Sequence, residues 1–205
     1  MITSHVASSD GVEIPVYDYS PGSMLPSVLF SHATGFHGRC FNSTAELLAD
    51  SAHCYSFDYR GYGDATLPHD WNVTWAGYGD DAQTVAQHVA RTSGPSIAFG
   101  HSMGGAALVM AALREPELFR ALVLFEPIIF PPIVRESGNA GGPSPLSEGA
   151  RRRRTTFASY EEAIANYSAK PPLNVFQPEV LGDYVRFGFS PNADGTISLK
   201  CQPEH

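Results

Sequence analysis

The stretch that decides the fold is Ser96-Ile-Ala-Phe-Gly-His-Ser-Met-Gly-Gly105. A short apolar run leads into Gly100-His-Ser-Met-Gly104, and small residues at helical spacing follow. Gly-x-Ser-x-Gly between a strand and a helix is typical of a nucleophile elbow, a turn so tight that its flanking residues must be small. Such a turn holds the Ser102 hydroxyl at a helix N-terminus, where free N–H groups and the helix dipole favour negative charge. The pattern predicts Ser102 as a nucleophile, with an ordinary glycine-rich turn as the alternative.

Length and composition indicate one soluble globular domain. The chain has 205 residues, of which 43% are hydrophobic and 17% charged, which is enough for a substantial core. A net charge of −8 argues against a general nucleic-acid binder. The apolar runs are too short or too interrupted by proline to span a bilayer, and the N-terminus lacks the pattern of a signal peptide. We therefore predict a cytoplasmic protein with no nucleic-acid partner and no membrane span.

The three cysteines are widely spaced and form no CxxC pair. This spacing favours reduced thiols, because disulfides are rare in cytoplasmic proteins. We predict no metal site and no cofactor.

Alternating strand and helix patterns surround the elbow. Asp10-Gly11 predicts a hairpin turn between two N-terminal strands. Short apolar runs then predict strands covered on both faces, and apolar stripes predict helices between them. This alternation of strands and helices is typical of a mostly parallel, doubly wound α/β sheet. The predicted strands are 2–8, 12–19, 27–31, 53–57, the run before Gly100 and 122–125, and the predicted helices are 41–50, 79–92 and the run after Ser102. Ser43 and Glu46 fit a capping box near the start of the first helix.

Four polar residues fall at the carboxyl ends of the predicted strands: His32, Asp58, Ser102 and Glu126. In an open α/β sheet, ligands bind at these ends. The convergence predicts one site and is stronger evidence than any single motif.

The sequence changes character after residue 127, where prolines interrupt the chain. Ser159 with Glu162 fits a capping box, and Pro178 suits the first turn of a further helix. Residues 196–199 suggest a short extended run. The run Arg151–Arg154 is interpreted as a solvated helix face rather than an anion-binding patch.

Four segments resemble the α/β-hydrolase superfamily. Residues 27–36 resemble its strand and oxyanion loop, 58–63 its Asp-x-Arg-Gly-x-Gly turn, 100–104 its elbow and 121–127 its next strand. The resemblance implies an α/β-hydrolase core at 1–127. It also implies an inserted, cap-like helical segment at 128–205, which we expect to be incomplete.

The resemblance implies roles for individual residues. Ser102 would form an acyl-enzyme, and the N–H of Met103 would donate to the oxyanion. The second donor would be the N–H of Thr34, with Ala33 as the alternative, because alanine replaces the usual glycine of this loop. His32 is expected to brace the loop, and His101 to pack within the elbow. Asp58 and Arg60 are expected to form a structural pair.

The family order is serine, acid, histidine, yet only His205 follows Ser102 among the eight histidines. A terminal residue rarely holds catalytic geometry. Glu126 is a candidate acid, with a structural role in the turn as the alternative. We therefore expect a truncated chain that lacks the C-terminal strands and the triad histidine. An apolar sheet edge without a partner would then cause self-association.

The first hypothesis is a serine hydrolase acting on a small-molecule ester or related acyl substrate. The second is an inactive α/β-hydrolase-like module that binds a ligand or a partner. The sequence does not separate ester cleavage from carbon–carbon bond hydrolysis or cofactor-free haloperoxidase chemistry. Five aromatic residues suggest an apolar pocket: Phe130, Phe157, Tyr160, Tyr167 and Phe176.

Overall fold

The computed structural model describes residues 1–67, 74–129 and 153–201. Its main sheet has six strands in the order β1-β2-β4-β3-β5-β6. The pairs β3–β4, β3–β5 and β5–β6 are parallel, whereas β1–β2 and β2–β4 are antiparallel. This confirms the predicted, mostly parallel α/β sheet. The strands are β1 (Ile2–Ala7), β2 (Glu13–Asp18), β3 (Ser27–Ser31), β4 (His53–Phe57), β5 (Ser96–His101) and β6 (Phe119–Phe125).

The hairpin between β1 and β2 turns where the sequence predicts it. Asp10 and Gly11 both have positive φ, 59° and 71°, within a 3₁₀ turn at Ser9–Gly11. Asp and Gly tolerate this left-handed conformation better than other residues, so their position fixes the turn.

Three helices pack against the main sheet: α1 (Asn42–Leu47), α2 (Trp75–Ser93) and α3 (Met103–Arg114). The capping box predicted at Ser43 is wrong, because α1 follows a 3₁₀ turn at Gly38–Phe41 and has Phe41 at its N-cap. Helix α2 begins four residues earlier than predicted, since the Thr74 side chain accepts from Gly77 N–H and caps it. A third 3₁₀ turn, Pro116–Leu118, leads into β6.

The main core lies between the sheet and these helices. The apolar stripe of α2 is buried as predicted, with Ala82, Val85 and Val89 at 0% exposure. It packs in one cluster with Leu29 of β3 and Phe57 of β4. The sheet and its helices therefore position the strand ends rigidly.

Residues 153–201 build a second, smaller core. The two predicted helices are present as α4 (Tyr160–Ser168), capped by Ser159, and α5 (Pro178–Gly188), with a 3₁₀ turn between them at Leu173–Val175. This part of the chain also forms a three-stranded antiparallel sheet, of which the sequence predicts only the run at 196–199. Its strands are β7 (Thr156–Phe157), β8 (Phe189–Pro191) and β9 (Ile197–Leu199), in the order β7-β9-β8. The segment is thus not helical throughout.

This second core docks on the main one next to the loop that follows β3. Asn42 donates from Nδ2 to Asp183 Oδ2 at 2.9 Å. The Arg39 guanidinium lies 3.8 Å above the centre of the Phe187 ring. Helix α5 is therefore held against the carboxyl-end side of the main sheet.

Strand β6 ends the main sheet, and among the described residues it pairs only with β5. Val123 and Phe125 are 49% and 53% exposed. An apolar edge of this kind is what the sequence predicts at this position. No helix in the described parts of the chain is both long and apolar enough to cross a bilayer.

Candidate active site

Ser102 occupies the turn between β5 and α3, at the N-cap of the helix. Its backbone has φ 54° and ψ −116°, a conformation that costs a non-glycine residue about 1–3 kcal/mol. Ser102 N–H donates to the Phe125 carbonyl at 3.0 Å, which ties the turn to the end of β6. The side chain is half-buried, and no described residue forms a hydrogen bond with its hydroxyl. The hydroxyl is thus presented at the carboxyl ends of the strands.

The glycines around Ser102 are required by close packing. A Cβ on Gly104 would stand 2.5 Å from the His32 carbonyl oxygen, and one on Gly100 would stand 2.6 Å from Gly105 Cα. These contacts press the start of α3 against the end of β3. The Met103 N–H, at the first turn of α3, has no described acceptor.

The His32 side chain forms hydrogen bonds that fix the start of the loop after β3. Tyr59 N–H donates to His32 Nε2 at 3.0 Å, so Nδ1 carries the proton and donates to the Ala33 carbonyl at 2.9 Å. Burial lowers the pKa of His32 to about 4, which keeps the ring neutral. His32 therefore braces the loop, as the sequence predicts.

The same loop turns sharply at its exposed tip. Phe36 N–H donates to the Ala33 carbonyl at 3.1 Å, and Gly35 has φ 80°, which only glycine adopts freely. Thr34 is exposed, and its N–H has no described acceptor. The N–H of Ala33 also has none, so both of the donors considered from the sequence remain available.

His101 packs beside Ser102 between two phenyl rings, as predicted. Its ring centre is 6.4 Å from that of Phe36 and 5.1 Å from that of Phe125. Partial burial lowers the pKa of His101, and the nearby Glu126 carboxylate opposes this shift. Glu126 is exposed and has φ 45°, so the chain turns abruptly after β6.

Asp58 and Arg60 have structural partners, but the predicted pair between them is wrong. Asp58 accepts from Tyr17 Oη at 2.7 Å and from Gly38 N–H at 2.7 Å. Arg60 instead forms a fully buried ion pair with Asp81 at 2.8 Å. Asp58 thus ties its turn to β2 and to the 3₁₀ turn at Gly38–Phe41, while Arg60 reaches across to Asp81 on α2.

The predicted aromatic pocket is only partly present. Phe157 and Tyr167 are buried in the second core, where they pack on Phe189 rather than line a site. Phe176 does reach the loop after β3 and stacks on Phe36 at 5.8 Å. Phe36 is not among the aromatic residues predicted for the pocket, although its place five residues after the end of β3 is a usable signal.

The two described members of the run Arg151–Arg154 do not form the solvated helix face that the sequence predicts. Arg154 is exposed and pairs with Glu162 at 2.8 Å, as a solvated side chain would, but it is not helical. Arg153 is half-buried and donates to the hydroxyls of Tyr167 and Tyr184.

Four residues singled out from the sequence lie outside the described residues: Arg151, Arg152, Phe130 and His205. Within the described ranges, no group of three or more His, Cys, Asp or Glu side chains could hold a metal ion.

Comparison with known proteins identifies relatives of this arrangement. The profile of the alpha/beta hydrolase family matches residues 28–197. Protein phosphatase methylesterase 1 of Debaryomyces hansenii is 28% identical over 172 residues, which are 75% of this chain and 41% of that protein. An sn-1-specific diacylglycerol lipase of Mus musculus is 27% identical over 104 residues, which are 50% of this chain and 33% of that protein. The chain spans less than half the length of both.

A solved structure agrees with the fold. The crystal structure of E-2-(acetamidomethylene)succinate hydrolase superposes with a TM-score of 0.76 and covers 99% of this chain and 69% of that one. The sequences are 22% identical. At this identity the likeness shows a shared fold.

Proposed function

The chain belongs to the alpha/beta hydrolase family, and we propose that it is a serine hydrolase cleaving an ester or related acyl substrate through an acyl-enzyme on Ser102. The curated relatives include a methylesterase and a lipase, both named for ester substrates. The substrate is a small molecule, and the contacts of α5 with the loop after β3 support a cap role for residues 128–205. We also propose a cytoplasmic location, in keeping with the wide spacing of the three cysteines in the sequence.

The observation that carries this proposal is the backbone of Ser102. A serine at φ 54° persists only because the surrounding packing enforces it, and such strain is concentrated at functional sites. The strained turn places Ser102 directly before the start of α3. In the proposed reaction Ser102 Oγ attacks the acyl carbon, and the alkoxy group leaves with the proton that the serine loses. Water then hydrolyses the acyl-enzyme.

The charge that develops on the carbonyl oxygen needs donors in place beforehand. The N–H groups of Met103 and Thr34 are the pair that we propose, since neither has a described acceptor. The positive end of the α3 dipole adds to their effect. Glu126 is the proposed acid, and the effect of its carboxylate on the pKa of His101, the neighbour of Ser102, supports this assignment.

The reaction also needs a base on the Ser102 hydroxyl, because a serine is a weak nucleophile without one. No side chain of the described residues forms that hydrogen bond. The sequence predicts a chain without the triad histidine; its two histidines outside the described ranges, His69 and His205, are tested as bases by the experiment below.

Labelling with a fluorophosphonate probe tests the proposal. We expect the probe to modify Ser102, found by peptide mass spectrometry, and we expect Ser102→Ala to remove the label. Ser168→Ala is the matched control, because Ser168 is an exposed serine on α4 that is far along the chain from the elbow. A folded chain that takes no label at Ser102 would refute the proposal. His69→Ala and His205→Ala then report whether either ring activates the serine.

A second function has one observation in its favour. Because no described side chain bonds the Ser102 hydroxyl, the chain can also act as an inactive module that binds a small ligand or a partner beneath its cap. The two functions separate in the same experiment, since only the hydrolase reacts with the probe.

A further inference from the structure

Arg153 differs from the arginines of the described chain that form ion pairs. Arg60, Arg114 and Arg154 each pair with a carboxylate. Arg153 has no carboxylate partner among the described residues, and its described hydrogen-bond acceptors are neutral phenols. A half-buried positive charge that lacks a counter-ion is costly, and a bound anion would relieve that cost.

Two tyrosines hold the Arg153 guanidinium in one place. Nε donates to Tyr167 Oη at 3.3 Å, and Nη2 donates to Tyr184 Oη. The guanidinium carbon lies 5.2 Å and 5.4 Å from the centres of the two rings. Nη1 donates to no described residue, so this nitrogen is the end of the side chain that is available to a ligand.

The available nitrogen lies at the loop that carries the proposed oxyanion donor. Nη1 is 3.4 Å from the position that a Cβ on Gly35 would occupy, so this nitrogen lies close to the backbone of Gly35. Gly35 follows Thr34 directly. The next residue, Phe36, packs against His101, the neighbour of Ser102. The loop after β3 therefore contacts Arg153 through Gly35 and the elbow through Phe36.

We propose that Arg153 binds a carboxylate of the substrate, which deepens the function proposed above and rests on it. The substrate class is an acyl compound with a free carboxylate, such as a half-ester of a short dicarboxylic acid. The ester carbonyl lies at Ser102 and the Thr34 loop, and the carboxylate accepts from Nη1 of Arg153. Charge-assisted hydrogen bonds from a guanidinium are among the strongest in proteins, so this contact selects anionic over neutral esters.

Binding to a Ser102→Ala chain tests the contact without turnover. Monoethyl succinate, an anion at neutral pH, and diethyl succinate, its neutral counterpart, are titrated by calorimetry at low salt. We expect the anion to bind about tenfold or more tightly than the diester, and Arg153→Gln to remove that preference. Arg154→Gln is the matched control and is expected to retain it, because Arg154 already pairs with Glu162.

Two further measurements keep the result interpretable. Arg153→Lys retains the charge and is expected to retain part of the preference, and added salt is expected to reduce the preference in the parent chain. Equal binding of both esters, or an unchanged preference in Arg153→Gln with an unaltered melting curve, would overturn the proposal. Because the titration uses Ser102→Ala, its outcome is independent of whether the fluorophosphonate probe labels Ser102.

Discussion

His37 donates from Nε2 to the backbone carbonyl of Tyr184 at 3.1 Å, across 147 residues of sequence. The two rings are also stacked, with centres 5.9 Å apart and planes 14° from parallel. This contact joins the loop after β3 to helix α5, and it holds Tyr184 where its hydroxyl meets Arg153. Burial lowers the pKa of His37 to about 4, so the ring that makes this contact is neutral at neutral pH.

The first prediction is that stability falls in mild acid. His32 and His37 both have a pKa near 4 in the folded chain, below the ordinary value of 6.5. Between these values the unfolded chain binds more protons, so stability is complete above pH 6.5 and decreases as the pH falls toward 4. Each ring contributes about 1.4 kcal/mol per pH unit in that window. Urea unfolding at a series of pH values measures the slope.

Substitution of His37 separates its contribution to the pH dependence of stability from that of other titrating groups. His37→Gln retains a donor for the Tyr184 carbonyl. We expect it to reduce the slope of the free energy of unfolding against pH by the contribution of one proton. His5 is exposed on β1, so His5→Gln controls for the substitution itself. A slope that is the same in His37→Gln and in the parent chain would contradict the argument.

The second prediction concerns the buried pair of Arg60 and Asp81. Both side chains are 0% exposed, and the Asp81 carboxylate also accepts from Ser8 Oγ at 2.6 Å. Asp81→Asn leaves the guanidinium buried with an incomplete partner, and we expect it to lower the free energy of unfolding by about 3–5 kcal/mol. The adjacent Asp80 pairs with Arg114 at a partly exposed site, so Asp80→Asn is expected to cost about 1 kcal/mol or less. Similar costs for the two variants would show that the burial of the pair is unimportant.

The third prediction tests the close packing of the elbow. Gly104→Ala places a methyl group 2.5 Å from the His32 carbonyl oxygen and from Ser31 Oγ. The start of α3 must then move, which displaces Ser102, so we expect both a lower melting temperature and a loss of fluorophosphonate labelling. Gly182→Ala on α5 meets nothing within 4 Å and is expected to stabilise the chain by up to about 1 kcal/mol. Full labelling of Gly104→Ala would show that the elbow tolerates this shift.

The sequence predicts the main sheet well because its signals are local. The apolar run before Gly100, the small residues around Ser102 and the turn at Asp10-Gly11 each determine their own conformation. The sequence does not predict the early start of α2, because Gly77 weakens the helical pattern there. Gly77 is required by a tertiary contact that is not visible in the sequence, since a Cβ at this position would stand 2.5 Å from Arg60 Nη1.

The site itself is less accessible to sequence reasoning. Ser102 and His32 are visible because they follow strands directly. Arg153 cannot be identified in this way, because nothing in a run of four arginines distinguishes the half-buried Arg153 from the exposed Arg154. What separates the two is a tertiary contact with Tyr167 and Tyr184, and these tyrosines lie on two different helices.

The fourth prediction is that the chain self-associates through β6. Among the described residues this strand has a partner on one edge only, and Val123 and Phe125 are 49% and 53% exposed. Unpaired backbone groups beside apolar side chains favour pairing with another strand, and a charge on such an edge opposes it. We therefore expect sedimentation velocity to show mass increasing with concentration in the parent chain, and Val123→Glu to reduce this increase. Leu47 is 86% exposed on α1, so Leu47→Glu removes a comparable apolar side chain elsewhere and is expected to leave the association unchanged. A parent chain that sediments as a monomer at every concentration, or equal effects of the two substitutions, would contradict the assignment of β6 as the contact.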